Sequence, residues 1–366
     1  MNSPQTELLT SDRGVYWTSN NRFIIIQTQY SLMIICFYAL RLNMIEAFAP
    51  GKCILFGEHA VVYGHPAVAI AIEQGVNVSI EEFDDWIIDG KSFEHSKYPH
   101  ISHILHDIFG YKGKPLKIKI ESQLFSAAGL GSSAALSNAM GAALHKLIKP
   151  QEELDIIKLA KIGHSAEVAA QEGRASPTDT ATSALGGCIV VSGERLTGTE
   201  HVFDAELVTP EGKRSWSVCK ARLPEEVEDV WLILGFTGEG SPTGKMVADV
   251  ADLLSRDPDK KNIMTNIREI THKGLDALSV GNFEDVGMAM NECHEQLRKL
   301  GVSSDSLDRL VEATKPYSLG AKMTGAGGGG CMVALSRNPQ RVSEQIEIAG
   351  GKPMISKLVS KGVRLI

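Results

Sequence analysis

From Ile45 onward the chain alternates short apolar runs with glycine-bounded polar stretches, a pattern that predicts a mixture of strands and helices. Ile45 opens a strand-like segment, residues 49–58 read as a glycine-containing loop, and 67–72 form a run of small apolar residues. Residues 76–83 alternate apolar with polar. So do 116–122, through Leu116, Ile118 and Ile120, and each stretch predicts a half-buried strand. Residues 134–147 are alanine-rich and helical, and Pro150 separates them from a second helix over roughly 152–170. Residues 186–192 and 230–236 predict buried strands, 261–277 and 283–300 predict successive helices, and 320–334 a glycine-rich loop between strand-like flanks. The polar stretch 193–228 is expected to carry a domain boundary, because connections beyond ~15 residues are uncommon inside compact domains. Division near 205/206 gives two domains, 44–205 and 206–366.

Residues 1–43 have a different texture. A polar start leads to two apolar groups, 23–26 and 32–40, separated by Gln27, Thr28, Gln29, Tyr30 and Ser31. A membrane span needs about 20 mainly apolar residues, and a signal peptide needs a basic start and a small-residue cleavage site. Neither pattern is met, so these residues are expected to be an extension upstream of a start at Met44, with a membrane anchor as the alternative.

Composition narrows the function. The 366 residues carry 37 Lys plus Arg against 44 Asp plus Glu, a net charge of −7, with no basic run to neutralise phosphates, which argues against nucleic acid as a partner. At 43% hydrophobic and 22% charged, the chain is neither disordered nor fibrous. Its six cysteines (36, 53, 188, 219, 293 and 331) form no C-x-x-C pair, which fits a reducing, cytoplasmic setting.

The 35 glycines cluster in a few places, and these hold the candidate chemistry. Gly129-Leu130-Gly131-Ser132-Ser133-Ala134-Ala135 opens a helix, where unpaired backbone N–H groups and a partial positive charge suit an anion. Ser132 and Ser133 either cap that helix or offer a hydroxyl to Mg²⁺ beside the phosphates. A G-x-x-x-x-G-K-S/T loop is missing, since Gly244-Lys245 is followed by Met246, and so are the protein-kinase signatures. Residues 50–64 combine Lys52, Glu58 and His59 in a short apolar, glycine-bounded stretch where an idle charge would be costly. Asp179 follows Gly173-Arg174-Ala175-Ser176-Pro177-Thr178, where it is either a turn former or a base. Lys322-Met323-Thr324-Gly325-Ala326-Gly327-Gly328-Gly329-Gly330-Cys331 suits close backbone approach to a ligand. His95, His100, His103 and His106 surround a helix start, the last three recurring every third residue. An exposed helix face is expected there rather than a metal site, because ligand-spaced Cys or carboxylate partners are lacking.

Together P-G-K-x-I-L-F-G-E-H-A-V-V-Y-G, G-L-G-S-S-A-A, S-x-T-D-T and K-x-T-G-A-G-G-G-G-C resemble the GHMP kinases, and within them the archaeal-type mevalonate kinases, over nearly all of the chain from Ile45. The resemblance implies an α+β fold of two domains flanking the active site. The first would be ribosomal protein S5 domain 2-like, with a left-handed β-α-β crossover against the usual hand, and the second ferredoxin-like. It implies ATP- and Mg²⁺-dependent phosphorylation of the 5-hydroxyl of mevalonate. The alternatives are another small-molecule kinase of the family, acting on phosphomevalonate or homoserine, or a non-catalytic binding protein of the same fold. Asp179 would be the catalytic carboxylate, as base or as positioning group, with Lys52 beside it favouring its ionised form and steadying the transferred phosphoryl group. Gly129, Leu130, Gly131, Ser132, Ser133 and Ala134 would hold the nucleotide. Ser133 and Glu167 would hold Mg²⁺, with Glu172 competing because the spacing to Gly173 is one residue longer than the family pattern. Glu58 and His59 would contact mevalonate, and Thr243 with Gly325, Ala326 and Gly327 would help enclose it. No membrane partner is implied, and a homodimer stays open. One departure stands out: the family's P-x-G-x-G entry to the nucleotide loop is Phe125-Ser126-Ala127-Ala128-Gly129 here, which is expected to alter nucleotide affinity without losing the site.

Overall fold

The computed structural model describes residues 15–16, 24–25, 44–171, 175–209, 212–224 and 229–366. Within residues 1–44 that comprises Met44 and one antiparallel pair, Val15–Tyr16 with Ile24–Ile25. The expectation for the rest of 1–43 lies outside the described residues, as do Glu172, Gly173 and Arg174. No helix among the described residues is long and apolar enough to cross a membrane.

Residues 45–366 form a separate unit built on two sheets. Its first strand, β1 (Ile45–Phe56), is buried from Ala47 to Phe56 on both faces, so it lacks the alternation by which a half-buried strand is recognised. The loop expected over 49–58 is therefore mostly strand. Pro50 and Gly51 are accommodated by a register shift between Pro50 and Lys52. The 16-residue β2 (Ala67–Glu82) joins the small-residue run and the alternating stretch into one strand paired with β1. Beyond it come the two-residue strands β3 (Ile87–Ile88) and β4 (Lys91–Ser92), then β5 (Leu116–Ser122), which pairs with the second half of β2.

Three helices follow: α1 (Ser132–Ile148), α2 (Ile156–Ala170) and α3 (Thr178–Leu185). The chain then returns as β6 (Cys188–Ser192), paired with the first half of β2. Helices α1 and α3 pack on β1 and β2, and α2 packs on both helices. Gly163 permits that close approach, since a Cβ there would lie 2.4 Å from Asn138 Oδ1. Strands β7 (Thr199–Thr209) and β8 (Gly212–Ala221) extend the same sheet beyond β6.

The boundary expected at 205/206 thus falls inside β7. The change of sheet comes between 222 and 230, because β7 and β8 pair into the first sheet and Trp216 donates its indole N–H to Val61 O at 3.1 Å. The two strands are largely exposed and polar, so this stretch reads as a linker.

The second sheet begins with β9 (Trp231–Phe236). Helices α4 (Thr243–Arg256), α5 (Lys261–Ser279), α6 (Phe283–Lys299) and α7 (Asp305–Thr314) follow, then β10 (Gly320–Thr324), β11 (Cys331–Ser336), α8 (Pro339–Ile348) and β12 (Lys352–Lys357). The spatial order β10-β11-β9-β12, antiparallel throughout, with helices after its first and third strands, is the ferredoxin-like arrangement. The last strand, β13 (Arg364–Leu365), returns to pair with β1. Helix α5 buries Ile263, Ile267, Ile270, Thr271, Gly274 and Leu278 at helical spacing. Gly274 admits the Phe56 ring of β1, whose Cζ lies 2.5 Å from where a Cβ would stand.

Candidate active site

The site is assembled where β1, the start of α1, the start of α3 and the loop 325–330 meet. Gly51 lets the segment 124–130 lie against β1, because a Cβ would stand 2.9 Å from Leu130 O, and Lys52 N–H donates to that same carbonyl at 2.9 Å. The strand thereby fixes the entry to α1. Lys52 is 3% exposed, and its ammonium donates to Gly129 O at 2.9 Å and pairs with Asp179 Oδ1 at 3.1 Å. Asp179, in the first turn of α3, keeps 40% of its side chain exposed. The pair is therefore anchored on its cationic side and open on its anionic side. Gly131, at φ 71°, makes room for both: a Cβ there would lie 3.0 Å from Lys52 Cγ and 3.6 Å from Asp179 Oδ2.

Gly131 is also the residue preceding α1, and no side chain caps that helix. Asp155, Asn282, Ser304 and Asn338 cap α2, α6, α7 and α8 with their side chains. The capping role open to Ser132 and Ser133 is thus not taken up, and the first N–H groups of α1 remain for an anion.

Helix α2 brings Glu167 to Ser133. Burial alone would raise the Glu167 carboxyl, yet hydrogen bonding and charge from His100, with hydrogen bonds from Ser133 and Gln171, hold it below the usual carboxylate range. His100 Nε2 lies 3.3 Å from Glu167 Oε1, and that buried oxygen has no hydrogen-bond partner of good geometry. A carboxylate and a hydroxyl with spare acceptor capacity beside an uncapped helix start fit a hard cation that takes its other ligands from phosphates and water. Among the described residues no group of three or more His, Cys, Asp or Glu is placed to hold a metal ion. The histidine cluster is not simply an exposed face, for His100 and His103 are half-buried and turn to α2, His103 lying 2.9 Å from Ser165 Oγ.

Glu58 and His59 follow β1 after Gly57. His59 has φ 61°, a conformation that costs a non-glycine residue on the order of 1–3 kcal/mol. Its Nε2 lies 2.9 Å from Ala326 O. Burial holds the imidazole below its ordinary value, and the charge of Lys322 pushes the same way. A neutral ring facing a carbonyl must carry its proton on Nε2, which leaves Nδ1 as an acceptor. Glu58 is 1% exposed; it pairs with the fully buried Lys322 and lies 3.9 Å from Cys293 Sγ, which donates to its other oxygen. Glu58 therefore faces the second sheet rather than open space.

The glycine loop is shorter than expected. Strands β10 and β11 reach to Thr324 and from Cys331, leaving 325–330 between them. Gly325 packs on Gly129, where a Cβ would stand 3.2 Å from its Cα, and Gly327 on Val302 O at 2.0 Å. Ser241 Oγ donates to Gly327 O at 2.7 Å and Ser241 N–H to Ala127 O at 2.7 Å, so Thr243, exposed at the start of α4, stands next to the loop and the segment leading into α1.

Sequence reasoning missed the roles of Lys322, Thr324 and Ser241. A charged residue inside an apolar run, as at Lys322, was the available signal. It also missed the significance of Phe125, whose ring stacks on Phe236 of β9 at 5.0 Å.

Residues 100–187 match the GHMP kinases N terminal domain and residues 273–352 the GHMP kinases C terminal domain. The chain is 34% identical to the mevalonate kinase of Pyrococcus furiosus over 355 residues, 87% of this chain and 97% of that protein. It belongs to the GHMP kinase family. With the mevalonate kinase of Methanothermobacter thermautotrophicus it shares 35% identity over 299 residues, covering 79% of this chain and 89% of that one. The crystal structure of the Methanococcus jannaschii mevalonate kinase superposes with a TM-score of 0.68 at 27% identity, over 87% of this chain and 98% of that one. Against the GHMP kinase pattern, the exchanged glycine of the loop leading into α1 falls at Ala127, and φ there is 51°, the left-handed region glycine favours. The alanine keeps the turn at the expense of strain, while Phe125, in place of the family's proline, is held by its stack on Phe236.

Proposed function

We propose that this GHMP kinase transfers the γ-phosphoryl group of ATP to the 5-hydroxyl of mevalonate in the cytoplasm. The observation that carries the reading is the buried ammonium of Lys52 set 3.1 Å from the open carboxylate of Asp179, beside an uncapped helix start.

The start of α1, from Gly129 to Ala134, offers backbone N–H groups to the phosphates, and Gly131 keeps that approach clear. Asp179 receives the substrate hydroxyl, aligning it and accepting its proton as the new O–P bond forms. The bond between the γ-phosphorus and the bridging oxygen breaks, and its electron pair leaves with ADP. Lys52 balances charge on both carboxylate and phosphoryl oxygens, the stabilisation on which such a loose transition state depends. His59, neutral with a free Nδ1 acceptor, suits a hydroxyl of the substrate, while Thr243 and the Gly325, Ala326 and Gly327 backbone enclose it. Ser133 and Glu167 would hold Mg²⁺, which when bound neutralises phosphate charge. The mevalonate kinase relatives at 32–35% identity support this alcohol over others of the family.

A coupled ADP-release assay with mevalonate, phosphomevalonate, homoserine and galactose tests the assignment. Turnover confined to mevalonate is expected. Turnover with another alcohol alone, or nucleotide binding without turnover, would overturn it.

A further inference from the structure

We propose that Lys322 and Glu58 form a positioning pair between the two sheets that sets the His59 loop for the alcohol, an inference that rests on the reaction proposed above. Lys322 lies in the middle of β10 and is 0% exposed, its ammonium bonded to Glu58 and to Met323 O. A buried ion pair is no economical way to hold two domains together, since well-packed apolar residues do as well or better. Its location suggests another use. Lys322, Thr324 and Ala326 follow one another at intervals of two, and each reaches the segment that carries the catalytic lysine. Thr324 Oγ1 accepts from Ile54 N–H at 2.8 Å and donates to Ile54 O at 3.1 Å. Ala326 O accepts from His59 at 2.9 Å. Lys322 holds the residue between those two attachments.

Glu58 has one oxygen on Lys322 and the other facing Cys293 Sγ, so its backbone has little freedom, and the next residue is the His59 held at φ 61°. The left-handed turn at His59 is not self-sustaining for an L-residue and persists because its surroundings over-determine it. With Glu58 pinned, His59 Nε2 meets Ala326 O and Nδ1 is left for the substrate. Neither Lys322 nor Glu58 need touch the alcohol to do this, and at 0% and 1% exposure neither is presented to it.

The test compares Lys322→Met, the double variant Lys322→Met/Glu58→Gln and the unaltered protein in the same assay. Readouts are kcat, KM for mevalonate, KM for ATP, thermal midpoint and amide exchange across residues 57–64. Turnover of mevalonate by the unaltered protein tests the reaction itself, independently of the variants. Lys322→Met is expected to lose about 10²-fold in kcat/KM for mevalonate through misplacement of the loop, with KM for ATP unchanged and faster exchange at 57–64. The double variant, which removes the stranded carboxylate charge, should recover about tenfold or more of that loss. If the single variant does not fold, the double variant is compared with the unaltered protein, and a residual loss of at most about tenfold in kcat/KM for mevalonate is expected. A folded double variant with no recovery would make one of the two a direct substrate contact, and an unfolded one would make the pair a requirement of the fold. Either result overturns the proposal, as would a loss shared equally between mevalonate and ATP.

Discussion

Asp179 combines features that rarely coincide: a helix start, a buried lysine at 3.1 Å and a side chain still open to a ligand. Asp179→Ala should lower kcat in the ADP-release assay by about 10²–10⁴-fold, the range for a group that handles a reacting proton. ATP affinity measured by calorimetry should be retained, because the N–H groups of α1 are untouched; normal turnover would remove Asp179 from the chemistry. Ala127 is informative in the opposite direction. At φ 51° it bears a strain of about 1–2 kcal/mol, of which the greater freedom of glycine in the unfolded chain would take back roughly 0.4–1 kcal/mol. Ala127→Gly is therefore expected to stabilise the protein by about 0.5–1 kcal/mol in chemical denaturation, and a loss of stability would show that the methyl group packs usefully.

At the scale of elements, β1 is the organising strand. It takes β2 along one edge and β13 along the other, receives α1 and α3 on a face, carries Lys52, and meets β10 through Thr324. The Thr324 hydroxyl both accepts from and donates to the backbone of Ile54, a buried clip two residues from Lys52. Thr324→Val keeps the shape and removes the clip, leaving Ile54 N–H buried without its partner at a cost of about 1–3 kcal/mol. Urea denaturation should register that loss, and kcat should fall while KM for ATP holds, because the strand bearing Lys52 loses its brace. Unchanged stability would mean that Ile54 finds another acceptor.

For the whole molecule, acid is the expected weakness. Burial pushes His294 down from an ordinary 6.5 to about 4, against the pull of Asp308, whose Oδ1 lies 3.3 Å away. On acidification the unfolded chain takes up that proton first. The stability that His294 contributes is full above pH 6.5 and is lost as the pH drops toward 4. Glu167 and Glu194, held below the usual carboxylate range in the native state, add a loss of the same sign as their carboxylates become protonated. Denaturation midpoints measured between these pH values should fall, and His294→Gln should flatten the slope; a slope left intact would place the acid sensitivity elsewhere. What the sequence alone determined was local: the alternating β5, the alanine-rich α1, the amphipathic α5 and α6, and the glycine-bounded motifs holding Lys52, the α1 start and Asp179. Each is encoded by neighbours within about a dozen residues, where periodicity and turn chemistry act directly. β1 was hidden because burial on both faces erases alternation, and β7 with β8 because two mostly exposed polar strands look like a linker. Only the tertiary structure decided that Glu58 turns to Lys322, 264 residues away; the meeting of Lys52 with Asp179 was implied by the family resemblance and by no periodicity in the chain. A hydrogen bond or ion pair across such a separation leaves no period in the chain; it exists only once the burial of apolar surface has brought the two sheets together.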